Sequence, residues 1–144
     1  MNKTTRIPSL EEFKNTCRKE FDFLIRDFGF EEQKLSADDK NQFKIIFSRS
    51  DLQVVIEGQS YGSVAYMYLK NASGRGILAD YLDPQFQPFA ERRYDGQIED
   101  IKKASILLRQ HGMKLLDGDN SVFENIFKRG DNAAKEYKRR LNTS

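Results

Sequence analysis

Three short apolar segments joined by tight links constrain the fold of this 144-residue chain more than any other feature. They cover residues 43–47, 52–56 and 64–69. The first two roughly alternate apolar and polar positions, as antiparallel strands with one solvent-facing side do. The third reads Val-Ala-Tyr-Met-Tyr-Leu and is apolar on both faces. We therefore expect a meander of antiparallel strands whose last strand needs a cover on its second face.

A long helix is predicted before these strands. Ser9 and Glu12 match a capping box, in which the serine accepts a backbone hydrogen bond and the glutamate reaches back to the cap. Apolar residues then recur at steps of three and four, which predicts one helix over Leu10–Phe28. Gly29 follows where a left-handed C-cap is expected.

Helical patterns also follow the strands. A helix is predicted to begin after Gly96 and end at Gly112, and another begins at the cap formed by residues 119–121. Residues 113–116 are expected to be extended or in a turn. Gly130 is expected to break or kink the last helix, which leaves a basic terminal helix or tail over 131–144.

These patterns predict one α+β domain over residues 1–144. Its parts are an N-terminal arm (1–8), a helix, a three- to four-stranded antiparallel meander with a weak edge strand near 30–36, and two to three C-terminal helices packed on the sheet. Residues 70–94 are expected to form an irregular connection, in which a short apolar patch allows one or two helical turns.

The alternation assigns the two faces of the first two strands. The residues expected to face the helices are Phe43, Ile45, Phe47, Leu52, Val54 and Ile56. Ile46 and Val55 then lie on the other face, to which the third strand adds either its tyrosines or Met67. Burial of that face within the chain or in a dimer is the favoured interpretation. If all helices share one side, an exposed apolar patch marks an interaction site.

Composition excludes several classes of function. The 24 basic and 22 acidic side chains give a net charge of +2, so nucleic acid is an unlikely partner. No apolar run approaches the roughly 20 residues that span a bilayer, and no secretory signal is recognisable. We therefore expect a cytoplasmic protein without a membrane partner, and the single cysteine excludes an internal disulfide.

Neither of the two most reactive side chains is predicted to be catalytic. Cys17 lies between Phe13 and Phe21 on the apolar stripe of the first helix, so it is interpreted as a small buried hydrophobe. His111 is the only histidine and lies in the last turn of its helix, where a cation is favoured. One histidine and one cysteine cannot build a closed zinc site. No catalytic, metal-binding or cofactor-binding residue is predicted.

Three further segments are interpreted as structural. Residues 117–124 resemble part of a calcium loop, but their spacing is wrong and a turn with a helix cap explains them. Residues 73–76, Ser-Gly-Arg-Gly, are interpreted as a flexible link in preference to a phosphate cradle. The basic residues from Lys128 to Arg140 are interpreted as the solvated face of a terminal helix, with nucleic acid or an acidic protein as the alternative partner.

The order of these motifs carries a resemblance. A helix ends at Phe28-Gly29-Phe30, a hairpin contains residues 54–57 and 61–63, and a late helix ends at Gln-His-Gly over 110–112. This arrangement resembles small uncharacterised bacterial α+β proteins, some of which are similar to immunity proteins of polymorphic-toxin systems. The resemblance implies a non-enzymatic protein that neutralises a toxin by binding it, and it carries over no functional residue.

We therefore expect a protein-binding module that uses the second sheet face or the 70–94 connection. Its candidate contact residues are Tyr66, Tyr68, Tyr81, Arg92, Arg93 and Tyr94. One alternative is a small ligand-binding domain or enzyme, whose pocket between the sheet and this connection would use Tyr66, Tyr68, Arg92, Arg93 and His111. Another is a homodimeric structural protein. An enzyme is the less favoured class, and no cofactor is expected.

Overall fold

The computed structural model describes residues 7–59, 62–88, 90 and 94–143 of an α+β fold. Its strands are β1 (Glu31–Glu32), β2 (Lys44–Ser48), β3 (Leu52–Gln59), β4 (Val64–Asn71) and β5 (Gly76–Leu78). Its helices are α1 (Leu10–Glu20), α2 (Asp22–Phe28), α3 (Gln97–His111), α4 (Met113–Leu116) and α5 (Ser121–Thr143). A 3-10 turn, Ala79–Leu82, follows β5.

The strands form an antiparallel meander in the order β1-β2-β3-β4-β5. This confirms the predicted meander, but five strands replace the expected three or four. The additional strand, β5, pairs with residues 68–70 of β4 and lies within the connection that was expected to be irregular. Its three residues are too few to show a period-2 pattern. At the other edge, β1 is only two residues long.

The N-terminal helix has the predicted ends but not the predicted continuity. The amide of Glu12 donates to Ser9 Oγ at 3.1 Å, and Gly29 adopts a left-handed conformation with φ 74°. The helix expected over Leu10–Phe28 is interrupted at Phe21, whose φ and ψ are −108° and 14°. An apolar repeat does not report such a break, because both halves keep the same buried face.

Side chains of α3 satisfy the carbonyl group exposed at this break. Ser105 Oγ donates to the Glu20 carbonyl at 2.7 Å, and Arg109 Nη2 donates to the same oxygen at 3.0 Å. The Arg109 guanidinium also lies 4.6 Å from the ring centre of Phe23. A helix terminus leaves carbonyls without intrahelical partners, so these contacts hold α1 and α2 against α3.

Two expectations for the C-terminal region are wrong. Helix α5 continues through Gly130 as one 23-residue element, and residues 113–116 form the short helix α4. A Cβ on Gly130 would lie 3.1 Å from Ile77 Cδ1, so the absent side chain lets α5 pack closely on β5. Close approach, and not a helix break, explains this glycine.

All helices pack on one face of the sheet. Every apolar helix side chain that is buried in the described ranges belongs to one core cluster. The sheet residues in that cluster are Ile45, Phe47, Leu52, Val54, Ile56, Ala65, Met67 and Leu69, and Phe43 packs against it. The predicted inward set is therefore confirmed. The sequence favours burial of the second face within the chain or in a dimer. The described C-terminal helices lie on the core side and do not cover that face, so burial in a dimer stays a prediction.

Candidate binding surface on the outer sheet face

The face of the sheet opposite the core carries an apolar row across four strands. We call this side the outer sheet face. The ladder pairs Ile46 with Val55, Val55 with Tyr68, and Tyr68 with Leu78. Directly paired side chains in an antiparallel sheet are in contact, so these four form a continuous strip. At about 4.8 Å per strand the strip spans roughly 14 Å.

The apolar row has a polar border. Lys44 and Glu57 lie beside it toward one end of the strands, and Ser48, Gln53 and Lys70 lie toward the other. Val55, at the centre, is only 6% exposed although it lies outside the main core cluster. Ile46, Tyr68 and Leu78 are half-buried. An apolar centre within a polar rim is the usual anatomy of a protein–protein interface.

Three tyrosines lie together on and beside this face, and we call them the tyrosine cluster. The Tyr66 and Tyr68 rings are 6.1 Å apart on alternate positions of β4. Tyr94, from the segment preceding α3, meets Tyr66 edge-to-face at 5.9 Å, and their hydroxyl oxygens are 3.2 Å apart. Ring pairs at this separation and angle are favourable beyond the area they bury. The cluster is therefore an ordered aromatic surface.

A cleft of about 680 Å³ lies next to the tyrosine cluster. It is bounded by the edge of β4, the 3-10 turn, residues 85–88 and 90, and α3, and Tyr66 and Tyr94 line it. The charged side chains that line it are Asp80, Asp100 and Lys103. Lys103 forms an ion pair with Asp95, and Asp100 accepts backbone hydrogen bonds.

Asp100 links α3 to the edge of the sheet. Its Oδ2 accepts the Ala65 amide of β4 at 3.1 Å, and its Oδ1 accepts the Asp95 amide at 3.2 Å. Strand β5 pairs only with residues 68–70, so Ala65 lies beyond its end. The carboxylate thus takes the place of a strand neighbour at this position.

The structure brings together only part of the predicted contact set. Tyr66, Tyr68 and Tyr94 form the tyrosine cluster, whereas Tyr81 packs against Phe86 with ring centres 5.0 Å apart. The Tyr81 carbonyl also accepts a hydrogen bond from Arg129 of α5. Tyr81 is therefore a packing residue away from the outer sheet face.

The remaining predicted pocket residues do not join the cluster. Arg92 and Arg93 lie outside the described residues. His111 is exposed at the last position of α3 and does not line the cleft. Its place at the helix end agrees with the predicted capping position. Leu78 was missing from the predicted set, because only the pairing of β5 with β4 brings it onto this face.

The segments interpreted as structural from the sequence have structural partners. Arg75, within the Ser-Gly-Arg-Gly segment, pairs with both carboxylate oxygens of Asp131 at 3.0 and 2.9 Å and lies 4.1 Å from the Phe127 ring centre. Asp119 Oδ1 accepts the Ser121 amide at 3.0 Å, as expected of a cap on α5. Arg75 and Asp119 therefore make structural contacts, in agreement with the interpretation of these segments as a link and a helix cap.

Cys17 is a buried core residue. Its side chain is fully buried in the core, and this burial raises the pKa of the thiol well above its ordinary value. A thiol that stays protonated is a poor nucleophile, so the predicted core role is confirmed. Within the described ranges, histidine, cysteine and carboxylate side chains do not gather in groups of three that could hold a metal ion.

Comparisons of the chain with protein-family models, with curated proteins and with solved structures found no match. None of the helices in the described part of the chain combines the length and the apolar content that a membrane-spanning helix needs.

Proposed function

We propose that this protein is a non-enzymatic protein-binding module whose contact surface is the outer sheet face. The observation that carries the proposal is the apolar row of Ile46, Val55, Tyr68 and Leu78, which lies on the side away from every helix. An apolar strip of this kind on a solvent-facing sheet has a cost in water, which burial against a partner removes.

The composition of the surface supports a protein partner. Tyrosine is enriched at interface centres because it buries a large area and keeps a polar end that hydrogen-bonds. Tyr66 and Tyr94 already hold each other through their hydroxyls and rings. An aromatic surface that is ordered before binding loses less conformational entropy on association.

We further propose that the partner is a toxin and that the chain acts as its immunity protein. The support is the resemblance of the motif order to immunity-type proteins, together with the aromatic surface formed by Tyr66, Tyr68 and Tyr94. Inhibition by binding needs only a complementary surface of roughly 800 Å² on each partner. The apolar row with its polar rim can form part of such a surface without any catalytic group.

Affinity capture from native lysate tests the proposal, with wild type compared against Tyr68→Glu. The charge is placed in the centre of the apolar row and should reduce retention of a specific partner at least about tenfold. Ile106→Glu is the matched control, because Ile106 is 51% exposed on α3 and lies on the helical side. A partner retained equally by all three proteins would contradict the proposal.

Purified components separate the general proposal from the toxin proposal. A partner that passes the capture test is titrated calorimetrically and assayed for toxicity with and without this chain. Binding together with loss of toxicity supports the immunity role. Binding of a partner that is not toxic would support the proposal of a binding module and contradict the proposal that the partner is a toxin. If wild type sediments as a dimer and Tyr68→Glu as a monomer, the surface is a self-interface, and the proposed partner is wrong.

The cleft supports a second candidate, a small-ligand site. Its volume of about 680 Å³ lies within the range of ligand pockets, and it combines Tyr66, Tyr94 and Lys103 with apolar walls. Ala104→Phe would fill the cleft from α3 while leaving the outer sheet face unchanged. A metabolite that raises the thermal midpoint of wild type but not of this variant would support the candidate. A ligand that stabilises both equally would reject the cleft as its site.

A further inference from the structure

The C-terminal half of α5 carries an apolar stripe that the domain does not bury. In the first half of the helix Phe123, Ile126 and Phe127 are buried in the core. In the second half Tyr137 and Leu141 are 51% and 57% exposed. The helix is continuous between the two halves, so the same face runs from the core into solvent.

The spacing of this stripe follows a heptad pattern. Its members recur at alternating steps of four and three: Phe123, Phe127, Gly130, Ala134, Tyr137 and Leu141. This is the repeat by which one α-helix packs along another. We call this stripe the seam. Up to Gly130 the seam packs against the domain itself, because Gly130 lies against Ile77 of β5. Beyond it, the exposed positions are spaced to receive a second helix.

Positive charge is concentrated on the same half of the helix. Residues 132–144 hold four basic side chains and one acidic side chain, a net side-chain charge of +3, whereas the whole chain carries +2. The rest of the chain is therefore slightly acidic. Glu136 holds Arg139 at 2.6 Å and Arg140 at 3.4 Å along the helix surface.

The basic residues divide into two groups around the seam. At about 100° per residue, Lys138 and Arg140 lie on opposite sides of the line that joins Tyr137 and Leu141. They correspond to the positions that flank a coiled-coil seam and select the charge of the partner. Lys135 and Arg139 lie on the far side of the helix.

We propose that the C-terminal half of α5 is a docking surface for an acidic amphipathic helix of another protein. The seam of Ala134, Tyr137 and Leu141 takes the apolar face of that helix, and its flanking carboxylates meet Lys138 and Arg140. A second copy of this chain is disfavoured because two +3 surfaces repel. The seam is also too small, with one leucine and one tyrosine, for stable insertion into a membrane.

A synthetic three-heptad peptide tests this surface directly. The probe has leucine at the seam positions and glutamate at the flanking positions, carries a fluorescent dye, and is titrated with the full chain by anisotropy. We expect saturable binding that Lys138→Glu/Arg140→Glu weakens at least about tenfold. The matched control is Lys135→Glu/Arg139→Glu, which makes the same change in net charge on the far side and should weaken binding less than about threefold.

Several outcomes would overturn the proposal. They are no binding of the acidic probe, equal weakening by the two double variants, and equal binding of a probe with lysine at its flanking positions. Tighter binding to phosphatidylserine-containing vesicles than to the probe would assign the surface to membranes. Self-association that Tyr137→Glu abolishes would assign it to a second copy. All the substituted side chains are exposed, and circular dichroism checks that each variant remains folded.

Discussion

Arg49 donates a hydrogen bond from Nη1 to the backbone carbonyl of Leu116 at 2.7 Å, across 67 positions of the sequence. The same nitrogen donates to the Phe28 carbonyl at 2.9 Å. Phe28 and Leu116 are the last residues of α2 and α4, where helical carbonyls lack intrahelical partners. One side chain in the β2–β3 turn therefore joins the ends of two helices.

Replacing Arg49 is expected to destabilise the fold strongly. The guanidinium also pairs with both carboxylate oxygens of Asp51 at 2.7 and 3.2 Å and lies 4.6 Å from the Phe30 ring centre. Arg49→Met keeps the length and loses every polar contact, so we expect a loss of about 3 kcal/mol in urea unfolding. Arg49→Lys keeps the charge but not the fork geometry and should also lose more than about 1 kcal/mol.

An exposed arginine provides the control for this loss. Arg26, on α2, contacts the carboxylates of Asp22 and Asp27 at 3.4 and 3.7 Å. Pairs of this kind contribute little, so Arg26→Met should change stability by less than about 0.5 kcal/mol. Similar losses for Arg26→Met and Arg49→Met would contradict the bridging role.

The Arg49–Asp51 pair is expected to contribute to acid sensitivity. The hydrogen bond from Arg49 lowers the pKa of Asp51 below its usual value of 3.8. A depressed pKa in the folded state means that the contribution is complete above that usual value and is lost as the pH falls through the folded pKa. The Arg49–Asp51 coupling from a double-mutant cycle should therefore be constant from about pH 7 to about pH 5 and shrink below about pH 4. Coupling that stays constant into acid would contradict this assignment.

Cys17 is expected to resist thiol reagents in the native protein. Its burial keeps reagents away from the sulfur, and it also raises the pKa of the thiol, so that the reactive thiolate is not formed. Labelling should follow unfolding, with a rate that rises steeply in denaturant, while the unfolded chain reacts at once. Fast stoichiometric labelling of the native protein would contradict the core assignment. Cys17→Ser should also destabilise more than Cys17→Ala, because the hydroxyl would be buried among apolar groups.

The pattern of β2 and β3 was sufficient to assign their core face, because apolar residues recur at every second position and the polar Lys44 and Gln53 lie between them. Strand β4 offered no such contrast, because Tyr66 and Met67 are both apolar enough to be buried. Its face is decided by register, with Met67 paired to inward-facing Ile56. Sequence alone leaves that register open.

The contacts between residues far apart in the sequence could not be predicted from local sequence patterns. Arg49 reads as an ordinary turn residue, and the 67 positions that separate it from Leu116 contain most of the sheet. Tyr94 lies next to Tyr66, but this contact depends on the path of the chain after β5. Such contacts form when the helices and strands pack together. The apolar periodicity of a single sequence does not predict them.

Gly58 and Gln97 form a contact that should show strong non-additivity. A Cβ on Gly58 would lie 2.5 Å from Gln97 Nε2, and Gln97 is buried at the start of α3. Gly58→Ala alone should cost about 1–2 kcal/mol, because the buried amide must move. In a Gln97→Ala background the same change should be neutral or stabilising, since alanine restricts the unfolded chain more than glycine. Equal costs in both backgrounds would show that the clash lies elsewhere.

Asp100 is expected to stabilise the edge of β4 through the Ala65 amide. Asp100→Ala leaves that donor without its acceptor and should cost about 2 kcal/mol, whereas Asp100→Asn keeps one acceptor oxygen and should cost less. Hydrogen exchange measured by NMR should show faster exchange at Ala65 in the alanine variant. The neighbouring Glu99, exposed and 3.5 Å from Lys102, is the control, and Glu99→Ala should stay within about 0.5 kcal/mol of wild type. Unchanged exchange at Ala65 in Asp100→Ala would mean that another group takes over this amide.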